Sequence, residues 1–108
     1  MPLELAICMA AAELDHEFHG YEIAKQLAED TGRRTVSAFG TLYRALARLE
    51  AMGCVTSRWE DPASAAGERR PARRLYLLTA AGRAAMVAAL AAQRKTVLRR
   101  ARRKWAPA

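Results

Sequence analysis

The chain has 108 residues, 52% hydrophobic and 27% charged, which fits one globular domain and excludes a disordered or collagen-like chain. Its two cysteines, Cys8 and Cys54, form no Cys-x-x-Cys pair and cannot build a disulfide scaffold, so a reducing cytoplasm is their expected setting. The net charge of +7 is uneven: residues 1–60 carry six Lys/Arg against nine Asp/Glu, and residues 61–108 carry twelve against two. Such asymmetry points to a polyanionic partner, nucleic acid before membrane.

Leu3, Ile7, Ala10 or Ala11, and Leu14 recur at helical spacing and predict a first helix near 2–14. Met1–Leu14 has no basic leader and carries Glu4, so it makes a poor signal peptide. Asp15–His19 reads as a turn. Gly20–Asp30 places Ile23, Ala24 and Leu27 on one face of a second helix, closed by Thr31-Gly32. After the short polar stretch Arg33–Val36, Ser37 is the expected N-cap of a third helix with Leu42, Leu46 and Leu49 as its apolar stripe; Gly53 ends it. Cys54–Glu60 and Arg73–Leu78 read as two short strands, with Asp61–Ala72 as a turn-rich loop between them. From Thr79 the pattern is helical again, to about Lys104. The uncharged run Ala84–Gln93 is too short and alanine-rich to cross about 30 Å of hydrocarbon, so no membrane partner is expected.

This order predicts a mainly α fold with a small β-hairpin: a winged helix-turn-helix followed by a long C-terminal helix. Residues 1–78 form the expected DNA-binding part, and residues 79–108 a dimerisation helix and basic tail, within one compact domain. On the third helix, Thr41, Arg44 and Arg48 share a stripe away from the leucines, with Ala45 beside them and Ser37 at the N-cap on the same side. Arginine can pair with guanine O6 and N7 in a major groove, threonine can reach phosphate or a thymine methyl, and free N–H groups at a helix start attract phosphate. Arg69, Arg70, Arg73 and Arg74, around Pro71, give the wing a basic tip suited to phosphate or the minor groove. The competing reading of these arginines is an ordinary solvated surface, with Arg48 paired to nearby acids.

His19-Gly20-Tyr21-Glu22-Ile23, then Gly40-Thr41-Leu42-Tyr43-x-x-Leu46-x-x-Leu49-Glu50-x-x-Gly53, resembles the PadR transcriptional regulators. Arg70-Pro71 and Arg74-x-Tyr76-x-Leu78-Thr79-x-x-Gly82 extend the resemblance, which covers roughly Leu3 to Leu90. It implies a bacterial, homodimeric regulator of double-stranded DNA, usually a repressor released by a cytoplasmic signal, a small molecule among the candidates. It also implies DNA-backbone or supporting roles for Tyr21, Thr41 and Tyr43, and a basic wing tip. The position after Tyr43 is usually proline in the family and is Arg44 here, which adds a candidate base reader. Some small members stack flat aromatic drugs between two tryptophans midway along the last helix. Gln93 occupies that position here, so the device is missing.

Met86, Leu90, Gln93 and Val97 follow a heptad seam flanked by alanines, the expected dimer contact; packing against the chain's own first helix is the alternative. Arg94, Lys95, Arg99, Arg100, Arg102, Arg103 and Lys104 exceed what a helix C-terminus requires and suggest added phosphate attraction. No metal or other cofactor is expected. His16-Glu17-Phe18-His19 lacks the spacing that sets two imidazoles on one helical face, and further ligands are missing. Cys8 and Cys54 remain a minor redox option. No nucleophile–base pair, phosphate-binding glycine loop or carboxylate dyad suggests an enzyme. Two other readings stay in play: a winged-helix module that binds an acidic protein, and sequence-neutral nucleic-acid binding through the tail.

Overall fold

The computed structural model describes residues 2–31 and 39–105 of the chain. Three helices come first: α1 (Leu3–Leu14), α2 (Gly20–Thr31) and α3 (Phe39–Ala51). A hairpin of β1 (Val55–Trp59) and β2 (Arg74–Leu78) follows, with the short helix α4 (Pro62–Gly67) between the strands, and α5 (Ala80–Trp105) ends the chain. This is a winged helix-turn-helix with one added long helix. Among the described residues, no helix is long and apolar enough to cross a membrane.

One core joins these elements. Ile7, Cys8, Ala10 and Ala11 of α1 meet Ile23 and Leu27 of α2, the leucines of α3, and Val55, Tyr76 and Leu78 of the hairpin. Burying a leucine or isoleucine of this kind contributes about 2 kcal/mol, so the α3 stripe at 42, 46 and 49 fixes that helix's rotation. The hairpin is antiparallel, with Val55, Ser57 and Trp59 opposite Leu78, Tyr76 and Arg74 on one face.

The segment before α2, expected as a plain turn, contributes a buried anchor. Phe18 is fully buried and exchanges two backbone hydrogen bonds with Tyr76, of 2.9 and 2.8 Å. Its ring lies 6.0 Å from that of Tyr76. The α1–α2 connection is thereby tied to the wing as a one-residue third strand.

The 61–72 segment, expected as a loop, contains α4. Asp61 caps it by accepting from the Ala63 N–H at 3.0 Å, and Pro62 occupies the first turn, where its missing N–H is harmless. Ala65 of this helix is buried.

The junction of β1 and α5 is tight. Gly53 takes a left-handed backbone (φ 76°) that turns α3 into β1. Thr79 then caps α5: its hydroxyl oxygen accepts from the Gly82 N–H at 2.9 Å, while the hydroxyl lies 2.7 Å from the Gly53 carbonyl, to which it donates. A Cβ at Gly82 would stand 2.1 Å from the Cys54 carbonyl oxygen, so only glycine lets α5 approach this closely. Farther along, α5 packs on α1 and Met86 abuts the core. The rest of the helix extends outward, giving the molecule a 69 Å long axis.

Candidate nucleic-acid interface

The exposed face of α3 carries Phe39, Gly40, Thr41, Tyr43, Arg44, Ala47 and Arg48. At about 100° per residue, Gly40, Arg44 and Ala47 lie at its centre. Thr41 and Arg48 flank one side, and Phe39 and Tyr43, with rings 6.4 Å apart, flank the other. Two small residues in the centre keep the helix slim where it would enter a groove. Arg44 reaches back over this surface, its guanidinium 3.4 Å from the Thr41 hydroxyl.

Ala45, expected beside the arginines on the outer stripe, is instead fully buried, because α1 packs against that edge of α3. Arg48, one turn on, is held by Glu4 of α1 through its Nε at 2.7 Å and a terminal nitrogen at 2.5 Å. Hydrogen bonding within its own helix and from Arg48 holds the Glu4 carboxyl below its ordinary pKa. Ser37 lies outside the described residues.

The start of α2 completes this side. The His19 Nδ1 lies 3.3 Å from the Glu22 N–H, in the position of an N-cap, and its Nε2 lies 3.2 Å from Arg73. A neutral imidazole accepts at one nitrogen only, so these two donors alternate. Burial and then the Arg73 charge push the His19 pKa below its ordinary value, favouring the neutral ring. Gly20 gives way to Tyr43: a Cβ there would meet the Tyr43 hydroxyl at 2.1 Å. Tyr21 points outward, 67% exposed.

In the wing, the arginines divide. Arg70 is half-buried, gripped by both oxygens of Glu60 at 2.5 and 2.9 Å and by Glu68 at 2.8 Å. The hydrogen-bonded guanidinium lowers the Glu60 pKa to about 2, and the two carboxylates raise that of Arg70. Arg70 therefore fastens the wing. Arg69, in a left-handed backbone (φ 57°), is exposed and has no carboxylate partner among the described residues. Arg73 is exposed beside His19.

Arg74 contacts Ser57 at 2.8 Å and lies 3.7 Å from Glu50, and Ser57 donates to Glu50 as well. Its guanidinium also sits 5.4 Å from the ring centre of Trp59. Gly20, Tyr21, Tyr43, Trp59, Arg73 and Tyr76 line an open cleft of about 460 Å³ between α2, α3 and the wing. Sequence reading placed Trp59 only as a strand former. Its exposure at the end of the hairpin is set by the β1–β2 register, which no local pattern reveals.

The dimer-seam candidates sit along α5. Met86 faces the chain's own core, Leu90 and Gln93 are half-buried, and Val97 is 63% exposed. Among the described residues there is no group of three or more His, Cys, Asp or Glu able to hold a metal.

The sequence matches the transcriptional regulator PadR-like family over residues 9–88, most of the chain. The chain belongs to the PadR-like family. That family consists of transcriptional regulators and not of enzymes. Comparison with curated proteins finds no match. Among solved structures, a PadR family transcriptional regulator from Eggerthella lenta is 23% identical with a TM-score of 0.71, covering 94% of this chain and 82% of that one. A transcriptional regulator from Clostridium thermocellum is 23% identical with a TM-score of 0.68, covering 97% and 93%. Bacillus subtilis PadR, solved in complex with operator DNA, is 21% identical with a TM-score of 0.59, covering 80% of this chain and 47% of that one. At these identities the likeness is one of fold, and it takes in the winged helix and the long last helix.

Proposed function

We propose that this PadR-like protein is a homodimeric, cytoplasmic repressor that binds a palindromic operator in double-stranded DNA. The observation that carries the reading is the exposed face of α3, with small residues at its centre and with Arg44 and Thr41 free of carboxylates among the described residues. Arg44 reads a base edge and Thr41 a phosphate or thymine methyl; Tyr21 and Tyr43 hold the backbone beside them. Arg69 and Arg73 supply the wing's phosphate contacts, and Arg70 sets the wing's shape. Arg48 joins only by exchanging Glu4 for a phosphate, and Ser37 is assigned to the same surface.

In this reading residues 1–78 are the DNA-binding part, and residues 79–108 supply the dimer helix and basic tail. Leu90, Gln93 and Val97 form the seam with a second copy, and Met86 anchors the helix to its own protomer. A two-fold dimer sets the two recognition helices about one DNA turn apart, hence the palindrome. A small-molecule effector that releases the DNA belongs to the same proposal. The seven cations between Arg94 and Lys104, with no carboxylate partner among the described residues, favour an additional sequence-neutral attraction to phosphate.

The test is a fluorescence-anisotropy titration with labelled DNA from upstream of the protein's own gene, against scrambled DNA at several salt concentrations. Specific regulation predicts a gap of about 4 kcal/mol or more that persists at physiological salt. Equal binding to both, collapsing steeply with salt, together with no inverted repeat protected from DNase, would refute the operator.

A further inference from the structure

We propose that Trp59, with Arg74 stacked on it, is a wing contact to the sugar–phosphate backbone of double-stranded DNA, a refinement that rests on the DNA-binding reading above. Trp59 pairs with Arg74 on the hairpin face that also carries Val55, Tyr76 and Leu78. Those three are buried, whereas Trp59 lies past the end of the core and is 63% exposed. It opens onto the cleft that Tyr21, Tyr43 and Arg73 share, which runs from the recognition helix to the wing. A large aromatic left in solvent beside two exposed tyrosines is an unusual surface for a small soluble domain and marks a contact site.

The chemistry of this cleft selects its occupant. The Trp59 indole N–H donates to nothing among the described residues, and the indole can only donate. The neighbouring Arg73 is cationic, and the two tyrosine hydroxyls can donate. Among the described residues, no carboxylate lines the cleft. A lining of donors and positive charge set among flat apolar rings matches a chain in which phosphates alternate with apolar deoxyribose faces.

Arg74 has a different task from Arg73. Its guanidinium is already engaged by Ser57 and faces Glu50, so it is a positioning residue that holds the indole plane rather than a free phosphate ligand. The cleft is open to solvent, as contact with a duplex backbone requires. Because a backbone contact carries no base information, Trp59 adds affinity without adding sequence preference.

The chain has two tryptophans, so Trp105→Phe leaves Trp59 as the sole indole fluorophore. That protein is titrated with unlabelled promoter and scrambled duplexes at low salt while Trp59 emission is followed, and binding is read in parallel by anisotropy of labelled duplexes. Trp59 emission is expected to change in step with the anisotropy. Trp59→Ala is expected to weaken both duplexes by roughly tenfold, leaving their ratio unchanged, and Trp59→Phe to lose less. Binding with unchanged Trp59 emission, and affinity within about twofold for Trp59→Ala, would overturn this contact while the DNA reading stands. No binding of either duplex at low salt would remove both.

Discussion

Gly82→Ala tests a close approach of backbone to backbone. The new methyl would stand 2.1 Å from the Cys54 carbonyl oxygen, 2.7 Å from Leu78 Cδ1 and 3.0 Å from the Cys54 carbonyl carbon. A carbon normally rests about 3.3 Å or more from a carbonyl oxygen, so the first turn of α5 must retreat by about an ångström. The obstacle is backbone and cannot rotate away. Retreat strains the Thr79 N–H bond to Cys54 (3.0 Å) and the Thr79 hydroxyl bond to Gly53 (2.7 Å), each contributing about 1 kcal/mol. Crowding adds about 1–3 kcal/mol, and the better helix propensity of alanine returns about 1 kcal/mol. A net loss of about 2–4 kcal/mol is expected, read as a urea midpoint lower by about 1–2 M or a Tm lower by about 8–16 °C. The comparison is made by circular dichroism at one protein concentration, because self-association would otherwise shift the midpoint. A variant as stable as the parent would refute the close approach of α5 to β1.

Gly20→Ala presents an equally short nominal contact, but against the Tyr43 hydroxyl, which can swing aside. Its stability is expected to stay within about 0.5 kcal/mol in the same urea experiment, with weaker DNA binding because Tyr43 is displaced; a large stability loss would contradict this. Arg48→Ala is expected to change stability by less than about 1 kcal/mol, since its pair with Glu4 is exposed, and to weaken operator binding far less than Arg44→Ala, for which a loss of about 1–3 kcal/mol is expected. Equal losses in an anisotropy titration would show that Glu4 does not hold Arg48 back. Glu60, held at about 2 in the fold against an ordinary 4.5, stabilises the wing fully above about pH 4.5 and loses that effect as the pH falls toward 2. The stability difference between the parent and Glu60→Gln is therefore expected to narrow across that window, and a difference that stays constant from pH 5 to pH 2 would refute the ion pair.

The parts of this fold that were legible in the sequence are those set by local pattern. Leu42, Leu46 and Leu49 fix the inward face of α3, Gly53 marks its end, and the helical pattern from Thr79 marks the start of α5. Helix α4 was also written locally, in Asp61 as cap and Pro62 in the first turn, but the surrounding Pro, Ser and Gly outweighed those marks. Phe18 could not be found this way, because one strand residue has no periodicity and its partner Tyr76 is distant in sequence. Ala45 sits on the border between two faces of a helical wheel, and only the placement of α1 decides which it joins. The partners of Arg48 and Arg70 were equally hidden: Glu4 is brought over by α1, and Glu60 by the hairpin.

Those pairings change the meaning of the uneven charge along the chain. Much of the acidic first part is spent on arginines: Glu4 on Arg48, Asp15 on Arg83, Glu17 on Arg58, Glu50 beside Arg74, and Glu60, joined by Glu68 of the basic part, on Arg70. Three of these five arginines lie in the basic part, so the two parts neutralise each other across the fold instead of presenting separate fields. Two cationic groups stand out among the described residues. Arg44, Arg69 and Arg73 keep their charge on the α3–wing side, and the Arg94–Lys104 run keeps its charge on α5, with no acidic residue after Glu68 in the whole sequence. Each phosphate neutralised adds about −0.9 to the slope of log K against log salt. The two phosphate contacts per protomer assigned to Arg69 and Arg73 would alone give a dimer a slope of about −4. A steeper slope, relaxed to that value by cutting the chain after Leu98, would assign the excess to the last helix and leave sequence reading to α3.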